Sequence, residues 1–273
     1  MICFKNGQRV ESIAILDRAF HYGDGCFTTV RVHQNILELE LRHRHRLNTA
    51  AERLSLNVDF ALLDATLADL RQQTPMLSGT LKILLSRGEG NRGYAMPDHP
   101  ADLYVFFYPQ DTKPFQPEII ASGVLEQRMG LTMPSLVGIK SLNRLEQVML
   151  KKEAQQQEWL EALVLDVQGA IVEGVSSNCF MQINDRWITP ELRYNGVHGV
   201  MRAEILSRMQ QQQIPCVQRF IGKNELQDLQ SLFFCNALGP MKVVQNFQTR
   251  ILDVQPCVEL FDTLQLNQFN PYV

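Results

Sequence analysis

The sequence predicts an α+β protein built from two domains, and three observations predict it. Strand-like and helix-like segments mix without the strict βαβ alternation of a doubly wound sheet. In the opening ICFKNGQRV, Asn6-Gly7 is the favoured two-residue turn of an antiparallel hairpin. The segment QDTKPFQPE is Pro-rich and polar like a linker, which sets a boundary near residue 112 between a small domain, 1–112, and a larger one, 113–273.

In the first half, ICF and RVESIAI read as the two arms of the hairpin. After the Gly-rich YGDG comes CFTTVRVH, whose β-branched and aromatic residues suit a pleated strand, then the turn HQN and a short strand ILELE. LRHRHRLNTAAERL spaces its apolar residues for one helix face, and DFALLDATLADLRQQ predicts a second helix. The strand LKILLSRG, the loop GEGNRGYAMP and the strand DLYVFFYP complete this half.

In the second half, NRLEQVMLKKEAQQQ predicts a helix, followed by a meander of ALVLD, AIVEG and NCFMQI. VMRAEILSRMQQQ is the next helix, and CVQRF and SLFFCNA are strands. Asn143 and Glu146 have the spacing of a capping box, so a helix starting near Ser141 would leave Lys140 just outside it.

Composition narrows the function. With 273 residues, 45% of them hydrophobic, each half can bury its own core. The net charge of -3 is near balance and the only basic cluster is RHRHR at Arg42 to Arg46, so nucleic acid and anionic membranes are not expected partners. MICFKNGQRV has no signal-peptide character and no apolar run is long enough for a bilayer, so the expected location is the cytoplasm. The six cysteines are scattered, with no CxxC pair and no His at zinc-ligand spacing; they read as reduced thiols, and no metal site is expected.

Three segments carry chemistry. Lys140, in GIKSLNRLEQ, is a cation on a backbone set by its neighbours; if desolvated, its amine would titrate nearer neutrality, as a Schiff-base lysine requires. A solvated surface lysine is the plain alternative. Glu173 ends an apolar strand ahead of GVSSN, where a carboxylate is costly without a cationic partner. The protonated ring nitrogen of pyridoxal phosphate would be one, and a strand-end Glu exposed at a turn is as good a reading of the residue alone. In YNGVHGVMRAEIL, Gly196 and Gly199 precede a helix whose first free N–H groups could bind a phosphate, or the glycines could form only a turn.

Taken in order, YGDGCFTTVR, the HxxRL pattern of His43 to Leu47, SRGEGNRGY, GIKSLNRLEQ, LDVQGAIVEGVSSNCF, ITPEL and GVHGVMR resemble the fold-type IV pyridoxal-phosphate enzymes along essentially the whole chain. That group includes branched-chain and D-amino acid aminotransferases and aminodeoxychorismate lyases. The resemblance implies a small N-terminal α/β domain and a larger C-terminal domain with a mixed, β-rich core. It makes Lys140 the lysine that carries the cofactor, Glu173 the partner of the pyridine nitrogen and Arg46 a phosphate ligand. It assigns the backbone N–H groups of Val200 and Met201 to the phosphate and places Ser176 and Asn178 near the cofactor. Asn236 and Ala237 stand where many relatives have a Thr that helps hold the phosphate.

Within the family, GDGCFTT and RGEGNRGY resemble the lyase branch, because aminotransferases usually have Glu where this chain has Thr28. Strand alternation puts Phe27, Thr29 and Arg31 on one face and Cys26, Thr28 and Val30 on the other, the first set toward the cofactor. With Arg92 and Tyr94, which in relatives reach the substrate from the partner subunit of a homodimer, the substrate-binding set becomes Phe27, Thr28, Thr29, Arg31, Arg92 and Tyr94. Two arginines, Arg31 and Arg92, would suit a substrate with two carboxylates. The activity implied is cleavage of 4-amino-4-deoxychorismate to 4-aminobenzoate and pyruvate, with D- or branched-chain aminotransfer as the alternative.

Overall fold

The computed structural model describes residues 1–74 and 76–268 of an α+β chain. It separates into two compact units: among the described residues the first is Met1–Lys113 with Ile139–Asn143, the second Pro114–Gly138 with Arg144–Gln268. The expectation of a second domain running unbroken from 113 is thereby corrected. The segment around Lys140 joins the first unit because its backbone bonds to a strand there. Residues 269–273 lie outside the described residues.

In the first unit β1 (Ile2–Lys5) and β2 (Gln8–Arg9) form the hairpin turning at Asn6-Gly7, with φ of 51° and 79°. The second arm is two residues long, not the whole of RVESIAI, and a short helix α1 (Arg18–Tyr22), not anticipated from the sequence, follows. It starts where Asp17 caps the amide of Ala19 and stops at the left-handed Gly23. Then come β3 (Gly25–His33), β4 (Ile36–Leu37), α2 (Glu40–Leu54), α3 (Ala61–Gln73), β5 (Gly79–Ser86) and β6 (Asp102–Pro109). Only the first two residues of ILELE are strand, because the chain turns at Leu39, φ 56°, to enter α2.

The six strands make one antiparallel sheet in the order β2-β1-β6-β5-β3-β4. Its period of two is plain in β3: Cys26, Thr28, Val30 and Val32 are buried, while Phe27 and Thr29 are half-buried. The buried face takes Leu81, Ile83 and Leu85 from β5 and is covered by α2 and α3 through Leu47, Leu63 and Leu67. Each such buried leucine contributes about 2 kcal/mol.

The second unit holds β7 (Glu118–Ser122), β8 (Val124–Met129), α4 (Leu145–Gln156), β9 (Leu163–Asp166), β10 (Ile171–Glu173), β11 (Asn178–Ile183), β12 (Arg186–Pro190), α5 (Val200–Gln211), β13 (Cys216–Arg219), β14 (Leu229–Asn236), β15 (Gly239–Phe247), β16 (Arg250–Ile251) and α6 (Gln255–Thr263). One sheet is β10-β9-β8; the other runs β13-β12-β11-β14-β15-β16, with β7 parallel to β15. Both are mixed, since β8 and β9 are parallel, as are β12 and β13. Strand β9 is buried on both faces. Leu163 and Leu165 join a core with Cys179, Met181, Phe234 and Val244, and Val164 joins another with Leu150 and Ala154 of α4. Sequence reasoning missed β7, β8, β12, β15, β16 and α6.

No helix among the described residues is long and apolar enough to cross a membrane. All six cysteines are free thiols.

Candidate active site

Lys140 is positioned by a strand, not by a helix cap. Its carbonyl accepts the amide of Phe27 at 3.0 Å, and Leu142 N donates to Gly25 O at 3.0 Å. Ser141 forms an isolated bridge with Cys26. Only glycine fits at position 25, where a Cβ would meet Leu85 O at 2.1 Å and Leu142 Cδ1 at 2.9 Å. The expected capping box is absent: α4 begins at Leu145 after Arg144, with no side-chain cap. Asn143 Nδ2 donates instead to Gly23 O at 3.2 Å, and Glu146 Oε1 accepts from Gly130 N at 3.1 Å. The half-buried Lys140 holds its Nζ 4.8 Å from the Phe27 ring centroid.

Arg46 reaches the buried face of β3 from α2. One guanidinium nitrogen donates to Thr28 Oγ1 and lies 3.4 Å from His43 Nδ1. Its Nε is out of solvent with no partner among the described residues. Burial pushes the Arg46 pKa down to about 10. Among the described residues no carboxylate is paired with this charge, so the side chain is suited to an anion from outside the protein.

The second unit gathers Glu173, Asn178 and the start of α5. Glu173 is buried at 5% exposure; it accepts from Val197 N at 2.9 Å and Asn178 Nδ2 at 3.2 Å. Asn178 Nδ2 also donates to Val197 O at 2.9 Å, which locks the loop entering α5. The positive charge of Arg144 faces Glu173 as well, a counter-charge that sequence reasoning did not identify. Gly199 precedes α5, and a Cβ there would meet Asn178 Oδ1 at 2.0 Å. No side chain caps α5, and its first intrahelical bond runs from Ala203 N to Gly199 O at 3.0 Å. The amides of Val200 and Met201 precede that bond and can receive an anion.

Ser176 and Asn236 share a different support. Buried Glu161, which sequence reasoning missed, accepts from Ser176 N at 3.1 Å, Ser177 Oγ at 2.8 Å and the Ser176 hydroxyl. Asn236 Nδ2 donates to Ser177 Oγ at 3.0 Å, and the half-buried Ala237 follows it in the turn after β14.

The expected substrate residues divide. Phe27 and Thr29 share the half-buried face beside Lys140. Thr28 is 0% exposed on the opposite face, its hydroxyl taken by His43 and Arg46, so the expected contact between Thr28 and substrate is corrected: its side chain has no surface to offer. Arg31 shares the Phe27 face but is buried, donating to Glu38 Oε1 at 2.5 Å and to Lys113 O. Its guanidinium is committed within the protein. Arg92 and Tyr94 are exposed on the loop after β5, with the Tyr94 ring 5.6 Å from that of Tyr22. Lys82 was missed although alternation could have found it. It pairs in register with Thr29, its Nζ lies 4.8 Å from the Phe27 centroid, and burial lowers its pKa.

The family model for amino-transferase class IV matches residues 25–246. The aminodeoxychorismate lyase of Vibrio harveyi is 31% identical over 243 residues, 85% of this chain and 86% of that protein. The D-alanine aminotransferase of Bacillus licheniformis is 25% identical over 237 residues, 84% of this chain and 82% of that protein. The solved structure of 4-amino-4-deoxychorismate lyase from Pseudomonas aeruginosa superimposes with a TM-score of 0.86 at 31% identity, covering 96% of this chain and 98% of that one. The chain belongs to the class IV aminotransferase family.

Proposed function

We propose that this chain is a pyridoxal-phosphate-dependent lyase that converts 4-amino-4-deoxychorismate to 4-aminobenzoate and pyruvate. The observation that carries the reading is the 31% identity to lyases compared both by sequence and by structure, against 25% to the D-alanine aminotransferase. The cofactor is supported by residues that fit it. Arg46 is a partly buried cation whose side-chain acceptors are a hydroxyl and an imidazole. The start of α5 offers amides, and Glu173 is an oriented carboxylate.

Bound pyridoxal phosphate would supply an electron sink. Each unit carries part of the set. In the first, Lys140 would carry the cofactor, and its Nζ would take the proton from the substrate ring. Arg46 would bind the phosphate, and Phe27 and Thr29 would line the substrate's path. In the second, Glu173, fixed by Asn178 and Val197 N, would hold a proton on the pyridine nitrogen. Val200 and Met201 amides would take phosphate oxygens, with Ser176, Asn236 and Ala237 at the rim. Arg92 and Tyr94, exposed on their loop, would serve the site of a partner subunit, so we read the protein as a homodimer; the cytoplasm is our proposal for its location on the sequence expectation alone. With Arg31 held by Glu38, Lys82 is the better second cation for a dicarboxylate substrate, alongside Arg92.

The test is turnover of aminodeoxychorismate without any keto acid. The lyase reading expects pyruvate and 4-aminobenzoate in equal amounts. The second reading, aminotransfer to D- or branched-chain amino acids, is favoured only by the aminotransferase similarity. Much faster conversion of D-alanine or a branched-chain amino acid, dependent on an acceptor, would replace the lyase reading and leave the fold intact.

A further inference from the structure

Thr28 Oγ1 lies 2.6 Å from His43 Nδ1 and accepts an N–H of Arg46. A guanidinium has only donors, so the Thr28 oxygen must accept there, and the single hydroxyl hydrogen is free to go to His43. His43 Nδ1 is the acceptor that suits this hydrogen and also the Arg46 nitrogen 3.4 Å away, which can only donate; the imidazole is then the neutral tautomer with its hydrogen on Nε2. Burial, and secondarily the Arg46 charge, favour this neutral form. The three polar atoms form a closed triangle within the first unit, since the same Arg46 nitrogen lies 3.4 Å from His43 Nδ1. Thr28 is 0% and His43 2% exposed, so water does not compete for these bonds.

We propose that Thr28 and His43 are positioning residues for Arg46: the imidazole polarises the Thr28 hydroxyl, and that oxygen fixes the guanidinium in the orientation that receives the cofactor's phosphate. The inference rests on the reading of Arg46 as a phosphate ligand. Its physical sense lies in the neutrality of both supports. A carboxylate at position 28 would hold Arg46 as firmly but would cancel the charge the phosphate needs. A hydroxyl backed by a neutral imidazole fixes the direction of the guanidinium and leaves its charge intact. It also accounts for a threonine with no exposed surface in a segment whose neighbours Phe27 and Thr29 face outward.

The experiment titrates apoprotein with pyridoxal phosphate and, separately, with pyridoxal, reading both dissociation constants by absorbance. Thr28→Val keeps shape and removes the hydroxyl. It should weaken pyridoxal phosphate about tenfold to a hundredfold, the range for a charge-assisted hydrogen bond, while pyridoxal binding stays at the wild-type value. Thr28→Ser, which keeps the hydroxyl, should restore the phosphate preference. Unchanged pyridoxal phosphate affinity in Thr28→Val, or equal weakening of both ligands, would overturn the relay while leaving the cofactor reading intact. Wild-type protein that binds neither ligand would overturn both. A measurement that needs no variant is the 15N signature of His43 in the wild-type protein. Nδ1 without a proton and Nε2 with one is expected throughout the neutral range, and a protonated Nδ1 would refute the relay.

Discussion

Arg31 and Arg46 both reach strand β3, the first buried and the second half-buried with its Nε out of solvent, and the structure gives them opposite surroundings. Arg31 points at a carboxylate, Glu38 Oε1, 2.5 Å away, and at the carbonyl of Lys113. Arg46 meets a hydroxyl and an imidazole, and its Nε has no partner among the described residues. The difference teaches that a buried arginine is read from its acceptor, not from its burial. With a carboxylate it closes a structure; with neutral acceptors it keeps a charge that only a further anion can balance. Sequence reasoning treated both as ligand-binding, and the geometry separates them.

The contrast can be broken most strongly at Arg31. Arg31→Met leaves Glu38 buried without its cation and should cost about 3–5 kcal/mol of folding stability in denaturant titration, with pyridoxal phosphate affinity unchanged. The loss should depend on pH. Burial, partly offset by Arg31, raises Glu38 to about 7, above its value in the unfolded chain. A carboxyl raised on folding favours the folded state most below the ordinary carboxylate range, and that contribution is lost as pH rises through about 7. Arg31→Met should therefore be most damaging in mildly alkaline buffer and least in acid. Retained stability with weakened ligand binding would reverse the assignments of the two arginines.

Arg46→Met should do the converse. The apoprotein should be as stable as wild type or more so, because an uncompensated cation is replaced by an apolar chain. Pyridoxal phosphate should bind more weakly by about 1.5–3 kcal/mol in an absorbance titration. The smallest effect is expected at Arg92, which is exposed and ion-paired with nothing among the described residues. Arg92→Ala should leave stability untouched and raise KM for aminodeoxychorismate about tenfold with little change in kcat, as for a group that binds substrate and transition state alike. A fall in kcat alone would move Arg92 from binding to the chemical step.

Much of this was legible in the sequence wherever a local rule meets no competitor. The alternation of Phe27 and Thr29 against Cys26, Thr28 and Val30 was readable because one face of the sheet is buried and the period is two. Asn6-Gly7 and Gly199 were readable because few residues satisfy their geometry. The capping box was misread because tertiary partners outbid the local ones: Asn143 bonds to Gly23 O and Glu146 to Gly130 N. Arg31 was misread because periodicity gives a face and not an acceptor, although Glu38, seven positions on and past the HQN turn, carried the hint of a cross-hairpin pair. Thr28 was grouped with the substrate residues although its own alternation placed it elsewhere. Glu161 and Arg144 were invisible because their partners are remote in sequence or depend on the exact start of α4.

The most direct test of the account is where the cofactor attaches. Protein incubated with pyridoxal phosphate, reduced with borohydride and digested should yield a single labelled peptide, the one containing Lys140, and Lys140→Ala should yield no label and no turnover. Label on a peptide lacking Lys140, or protein that stays colourless and unlabelled with excess pyridoxal phosphate, would contradict it.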